Sequence, residues 1–374
     1  MNRRQFCNLA ALSPLIKPPS GLPTYTIATR FKPAQSPGSP GRWRGKVIKV
    51  YSDVCIDTSS NRVNAVVVRE MLSAGIQKLT GTSDDRAAWA QFISKEDVVG
   101  IKVNCSGAPK IHSSPELVGA IITNLIALGV PASNIYIYER FEDQMRVVNF
   151  PRFVPSGVKI VAAEAINGSG GTILGYDPET YVEVNFFGED DTRSNLTRIV
   201  SERLTKIINV PNMKEHQAAG VTGCLKNIAY GNFSNVARSH QNEKTNTYSF
   251  IGTLASVEPV PSRTVLHVMD GLRGVWHGGP FLRDPKFLFF PKQIMLGTDP
   301  VAMDRLLIDI IEEKRKSEGA PSIFDRSTDQ LKSRGRLDTH FNAFIREPGH
   351  VEYASHLGLG EYDIRRIQQE VVKL

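Results

Sequence analysis

Apolar and polar positions alternate along this chain in two registers, and the register changes at regular intervals. Lys46 to Tyr51 is a short β-branched run that reads as a strand. From Asn64 to Leu79 the apolar residues recur at helical spacing, and Gly81 closes the segment. Asp97 to Asn104 reads as a buried strand with a polar end. A helix is marked from Pro115 to Val130, where Ser114 is placed to cap it, Pro115 suits its first turn and Gly129 lies near its end. Further strands are expected at Asn134–Tyr138, Thr205–Val210, Thr264–Met269 and Gln293–Leu296. A helix capped by Asp299 follows over Pro300–Lys314. Strands alternating with helices of this length predict an α/β fold, a wound and mainly parallel sheet flanked by helices.

Residues 165–200 break that rhythm with the loop Asn167-Gly168-Ser169-Gly170-Gly171 and an extra strand over Tyr181–Phe187, which reads as a β-rich insertion. The glycine run lacks a following Gly-Lys-Ser/Thr, so it is a connection and not a phosphate loop. Beyond Lys316 the chain turns polar and then carries short helical segments near Tyr353 and Ile364. The expected organisation is an export signal and flexible linker over 1–44, an α/β domain over 45–316, and a helical extension over 317–374 packed on it.

With 374 residues, of which 41% are hydrophobic and 22% charged, the chain is of globular composition. No apolar run reaches the roughly 18–20 residues needed to cross a bilayer. The net charge of +7 changes meaning once it is located. Seven of the 45 basic residues fall within residues 1–44, which hold no Asp or Glu, and the remaining 38 basic residues balance 38 acidic ones. The body has no surplus with which to displace counterions from nucleic acid, so no nucleic-acid partner is expected.

The charge at the start reads as an address instead. Met1-Asn2-Arg3-Arg4-Gln5-Phe6 resembles a twin-arginine signal; an apolar stretch from Leu9 to Ile16 and a Pro/Gly/Ser-rich segment from Pro18 to Gly41 follow. The expected location is periplasmic or otherwise exported, with the twin-arginine machinery as a partner. Cys7, Cys55, Cys105 and Cys224 are scattered without a C-x-x-C pair, so neither a zinc ribbon nor an iron–sulfur cluster has its usual spacing.

Wound sheets present their ligand sites beyond the carboxyl ends of the strands, and the residues at those ends here are polar. They are Lys102 and Asn104; Asn209, Lys214 and His216; and Asp270, Arg273 and His277. The densest stretch runs from Asn209 to Gln217 and on through Thr222-Gly223-Cys224-Leu225-Lys226-Asn227. An extended chain puts Lys214 and His216 on one side. A helix over Val221–Ala229 gives Thr222 and Lys226 a common face, with a positive helix end beside them. That grouping suits a carboxylate or a phosphate.

His216, Lys226 and Lys214 are the catalytic candidates, since imidazole can exchange protons near neutral pH. Lys102, Asn104, Asn209, Thr222, Asn227, Arg238, Asp270 and Arg273 are candidate substrate contacts, with Arg238 and His240 in a loop placed to close over a ligand. His216, His240, His277 and Asp270 are the candidate ligands of a metal ion, although no H-E-x-x-H spacing supports one. Asp304 is a further candidate for orienting a histidine or a metal. The cofactor is unassigned. The absence of a G-x-S-x-G elbow and of a G-x-G-x-x-G after a strand argues against a serine hydrolase and a dinucleotide site.

Ile101-Lys102-Val103-Asn104, Asn209 to His216, Thr222 to Asn227, Asp270-Gly271 and Thr298 to Asp304 together resemble the domain of unknown function 362 family. The resemblance runs from about Gly45 to about Glu313 and implies the fold and the location of the site. Many members of that family carry an iron–sulfur segment and look exported; this chain has the export-like start but not the cysteine spacing. The expected function is an exported enzyme of unassigned reaction on a small anionic substrate. The alternatives are a non-catalytic envelope binding or accessory protein, and a metal-dependent redox or isomerase enzyme.

Overall fold

The computed structural model describes residues 21–240, 247–324 and 348–374. Its centre is a mainly parallel sheet whose main path runs Gln368–Lys373, Lys46–Tyr51, Gln293–Gly297, Thr264–Val275, Lys206–Asn209, Val99–Lys102, Ile135–Phe141, Lys159–Glu164 and Thr172–Ile173. Along that path Gln293–Gly297 is antiparallel to both neighbours and the other pairings are parallel. The α/β class read from the sequence is the observed one, with helices on both faces.

One face is covered by the helices Ala65–Thr80 and Pro115–Leu128, the other by Cys224–Tyr230, Thr247–Ala255 and Pro300–Ser317. The first of these shows why the local sequence folds as it does. Asn64 Oδ1 accepts from the amides of Val66 and Val67, and Gly81 ends the helix at φ 74°. Val68, Met71, Leu72, Ile76 and Leu79 form its buried stripe between those two signals. The cap expected at Ser114 takes another form. Its hydroxyl makes no bond to the helix, and Asp270 Oδ2 instead accepts from the Ser114 amide at 2.7 Å.

The β-rich insertion is a separate three-stranded antiparallel sheet of Thr26–Ala28, Tyr176–Glu183 and Arg193–Thr197. Its first strand lies in the stretch expected to be a flexible linker, and that expectation needs correction. From Tyr25 onward the segment is part of the fold: Thr26–Ala28 pairs with Tyr181–Glu183, Ser39 bonds to His267, and Trp43 packs on Phe92. The export motif and its apolar stretch, residues 1–20, lie outside the described residues.

The carboxyl-terminal part is also corrected. A helix does form over Gly349–His356, but the segment near Ile364 is a turn that leads into the edge strand Gln368–Lys373. That strand pairs in register with Lys46–Tyr51. Periodicity does not separate so short an amphipathic piece from a helix; the open sheet edge decides it.

Chain order fixes the position of the site. From Val99–Lys102 the chain adds strands outward in one direction, then returns to lay Lys206–Asn209 against the other side of that same strand. The order therefore reverses between Val99–Lys102 and Lys206–Asn209, which is where open α/β sheets hold their ligands. Lys102 and Asn209 are the last residues of those two strands and are partners in register.

Candidate functional site

Side chains alternate across a strand, and here the alternation separates core from chemistry. Ile101 and Val103, like Ile208 and Val210, enter the core beneath Ala65–Thr80 and Pro115–Leu128. Lys102, Asn104 and Asn209 alternate with them: Lys102 meets Glu139, Asn104 meets Asn227 and Lys214, and Asn209 meets Asn227. Lys102 is fully buried and ion-paired with Glu139 at 2.7 Å, and its ammonium also donates to the Val103 carbonyl. Glu139 in turn accepts from the Cys105 amide at 3.0 Å. A paired, hydrogen-bonded buried charge of this kind holds strand ends together. Lys102 thus becomes a support for the site.

A directed chain of hydrogen bonds crosses the strand ends. Lys214 Nζ donates to Asn104 Oδ1 at 2.7 Å and to Ser106 Oγ at 2.7 Å. Asn104 Nδ2 donates to Asn227 Oδ1 at 3.0 Å, and Asn227 Nδ2 to Asn209 Oδ1 at 2.7 Å. Asn209 Nδ2 then donates to the Cys224 carbonyl at 3.1 Å and faces His267 Nδ1 at 2.9 Å. The orientation of every amide follows from the two ends. An ammonium has no lone pair and a backbone carbonyl has no proton, so neither end can be reversed.

His267 must therefore accept at Nδ1 and carry its proton on Nε2, which meets Ser39 Oγ at 2.9 Å. Burial holds His267 down at about 3, in keeping with a neutral ring. Both N–H groups of Asn209 and both of Asn227 are used within the protein. Expected as substrate contacts, these two asparagines are instead internal struts, while Asn104 keeps one N–H beyond this chain.

Lys214 lies on the strand Asn212–His216, whose continuation Gly220–Val221 turns back on it, and the Thr222 amide donates to the Lys214 carbonyl at 2.8 Å. Lys214 is fully buried, and burial brings its ammonium down to about 7 despite the pull of Glu139. Lys226 sits on the Cys224–Tyr230 helix, partly buried, with its ammonium 4.5 Å from the centre of the Tyr230 ring. Desolvation, with Lys214 and Arg140 nearby, brings Lys226 to about 7 as well. Among the described residues no carboxylate pairs with it.

The helix end beside these lysines is not open to a ligand. Asp304 Oδ1 and Oδ2 accept from the Cys224 and Leu225 amides at 2.6 and 2.9 Å, so the positive end of the helix already holds a carboxylate. A Cβ on Gly223 would lie 2.0 Å from Asp304 Oδ1, and this close approach is what requires glycine there. Thr222 lies outside the helix, which starts at Cys224, and so does not share a helical face with Lys226 as expected. Its hydroxyl is buried without a partner among the described residues. The proposed role of Asp304 in orienting a histidine or metal gives way to helix capping.

Other candidates are dispersed. Asp270 accepts from the Ser114 and Leu272 amides, Oδ2 and Oδ1 respectively, and so caps a helix and a turn. Arg273 is held by Asn61 through its carbonyl and side chain, and faces His112 Nε2 at 3.4 Å. Arg238 does not close over a ligand. Its five N–H groups go to Asn235, Val184, Glu189, Thr192 and Ser194, which makes it the clamp of the small antiparallel sheet.

His216 Nδ1 accepts from the Ala218 amide at 3.1 Å. His277 Nδ1 meets Arg315 Nη1 at 2.9 Å, which makes that nitrogen an acceptor occupied by a guanidinium. The side chain of His240 lies outside the described residues. Among the described residues no three His, Cys, Asp or Glu side chains are grouped so as to hold a metal ion, so the expected set of His216, His277 and Asp270 is not assembled there. Cys55, Cys105 and Cys224 are buried free thiols.

Two contributors escaped the reading of the sequence. Glu139 and His267 each sit inside a strand of ordinary apolar pattern; each is visible only as a polar residue in a core position, a signal that does not by itself name a partner. A surface hollow of about 360 Å³ at Asp57, Arg62 and Asn64 contains none of the candidate residues. Among the described residues no helix is long and apolar enough to cross a membrane. A family model described as Domain of unknown function (DUF362) matches residues 99–309, a span that contains the whole lysine–asparagine chain. No curated protein matches the sequence.

Proposed function

The chain belongs to the DUF362 family, and from the geometry of the site we propose that it is an enzyme acting on a small anionic substrate, a carboxylate or a phosphate, at Lys214, Lys226 and His216. The observation that carries this reading is a pair of buried or half-buried lysines at the sheet's point of reversal, both brought to about 7, one of them without a carboxylate partner among the described residues. Excess positive charge in a dry place is costly unless a ligand neutralises it. An amine that titrates near neutrality can also give or take a proton during a reaction.

In this reading Lys226 holds the anion, being partly exposed and not tied by a hydrogen bond among the described residues. Lys214 is the fixed proton donor or acceptor, oriented by Asn104 and Ser106, with a third N–H position beyond those two bonds. His216 lies two residues along the same strand, on the same side, and serves as a second proton-transfer group. The amide chain to His267 keeps Lys214 from changing position as it gains or loses its proton. Export by the twin-arginine route, read from residues 1–6, is part of the same proposal.

Purified protein assayed against a panel of carboxylates and phosphate esters tests it. Turnover of at least one member is expected, and Lys226→Met should remove it while the melting temperature stays within a few degrees. Binding without turnover across the panel would move the assignment to a ligand-holding envelope protein. A large loss of stability in Lys226→Met would make that lysine structural.

A further inference from the structure

A histidine that the sequence reading did not single out lies against this site. His350 is the second residue of the helix Gly349–His356, which packs on the helix Thr247–Ala255. The preceding Pro348 is pressed against Gly220, where any Cβ would meet the Pro348 nitrogen at 2.7 Å. The approach brings the His350 ring next to the Ala219 backbone and within electrostatic reach of Lys226. The residue is 1% exposed, and among the described residues neither ring nitrogen has a hydrogen-bond partner. The Ala219 backbone beside the ring favours its protonated form, against burial and the Lys226 charge.

Burial and the Lys226 charge hold His350 at about 3, so the imidazole is neutral, with one N–H to give and one lone pair to fill. Leaving both unmet in a dry place is unfavourable, because neither water nor protein compensates the buried groups. The Thr222 hydroxyl, on the same turn-back of chain that leads to Lys226, is likewise buried and unmet.

We propose that His350 is a binding residue of the lysine site, and that the ligand is an oxyanion which also carries a hydroxyl group. The inference rests on the anion-site reading above and makes it more specific. A simple anion offers only acceptors, which would satisfy the ring N–H and Lys226 but not the bare ring nitrogen. An oxyanion with an O–H on a neighbouring or the same centre satisfies both. Hydrogenphosphate and 2-hydroxycarboxylates share that chemistry; sulfate and plain carboxylates of the same shape lack the donor.

Titration calorimetry on the full chain compares hydrogenphosphate with sulfate, and 2-hydroxypropanoate with propanoate; whichever pair shows the preference identifies the source of the chemistry. Wild type should favour the hydroxyl-bearing member of at least one pair by about tenfold, the discrimination expected when a buried polar group is left unpaired. His350→Phe should bring that ratio to about one while His350→Asn, which keeps a donor and an acceptor, retains part of it. Lys226→Met should abolish binding of both members.

Equal affinity for both members of each pair in wild type, with binding still lost in Lys226→Met, overturns the role of His350 and leaves the anion site standing. Binding unchanged in Lys226→Met removes the site and this inference with it. If His350→Phe does not fold, the His350 ring ¹⁵N signals in the wild-type protein decide. They should move with hydrogenphosphate and not with sulfate, and no movement with either refutes the proposal.

Discussion

Replacing Lys214 by Met removes a fully buried ammonium that donates to Asn104 and Ser106 at 2.7 Å each. Two opposed contributions can be sized. Hydrogen bonds from a charged donor contribute about 1.5–3 kcal/mol apiece, so their loss costs on the order of 3–6 kcal/mol. Against this, burial has moved the amine from its ordinary 10.5 to about 7, and at ~1.4 kcal/mol per tenfold in proton affinity the buried charge costs on the order of 5 kcal/mol. At pH 6 the two nearly cancel. Between pH 7 and 10.5 the unfolded chain keeps a proton on this lysine that the folded chain has released, so raising the pH favours the wild-type fold. Methionine has no such dependence.

Urea unfolding followed by circular dichroism, on both proteins at pH 6 and pH 9.5, therefore has a definite expectation. The variant should match wild type within about 2 kcal/mol at pH 6 and fall behind by about a further 3 kcal/mol at pH 9.5. A variant that loses more than about 4 kcal/mol at pH 6, with no further loss at pH 9.5, would show that the charge carries no burial penalty. Lys214 would then be a structural strut, and the reasoning that makes it a proton-transfer group would fail.

Other expectations follow from the same geometry. Binding of a carboxylate should weaken as pH rises through about 7, because Lys226 loses its charge there, by up to tenfold per pH step; titration calorimetry at pH 6 and 8.5 measures it. Arg238→Ala should destabilise the protein by about 3–5 kcal/mol in urea, since Glu189 would be left without its buried partner, while anion affinity stays unchanged. Gly223→Ala should cost at least ~2 kcal/mol of stability, because the methyl and the Asp304 carboxylate cannot occupy the same space; wild-type melting behaviour would count against the capping role. His267 should remain neutral with its proton on Nε2 from pH 8 to pH 5 in ¹⁵N spectra. It should lower stability only as pH falls below about 6.5 toward 3, where the unfolded chain takes up a proton that the folded ring refuses.

Much of the scaffold was written locally. The helices at Ala65–Thr80, Pro115–Leu128 and Pro300–Ser317 are bounded by Asn64, Gly81, Pro115, Gly129 and Asp299, whose effects act within a few residues. The alternation in Ile101-Lys102-Val103-Asn104 told which side chains leave the core, and the Lys-x-His and Leu-Lys-Asn segments marked the neighbourhood of the site. Those signals are short-range, and a single sequence displays them directly.

What the sequence could not display is the use each polar group finds. Lys102, Asn104, Lys214 and Lys226 looked equivalent as cations and amides near strand ends, yet Lys102 is spent on Glu139, Asn104 orients Lys214, and Lys226 is left without a carboxylate partner among the described residues. Asp304, Asp270 and Arg238 were candidates for chemistry until the fold gave each of them backbone partners. His350 and Glu139 became relevant only through packing across more than a hundred residues of chain or a neighbouring strand end. Helices and their ends follow from interactions between residues three or four apart, whereas burial and pairing depend on which surfaces the wound sheet brings together. For a polar side chain, burial and pairing decide whether it is a strut or a site.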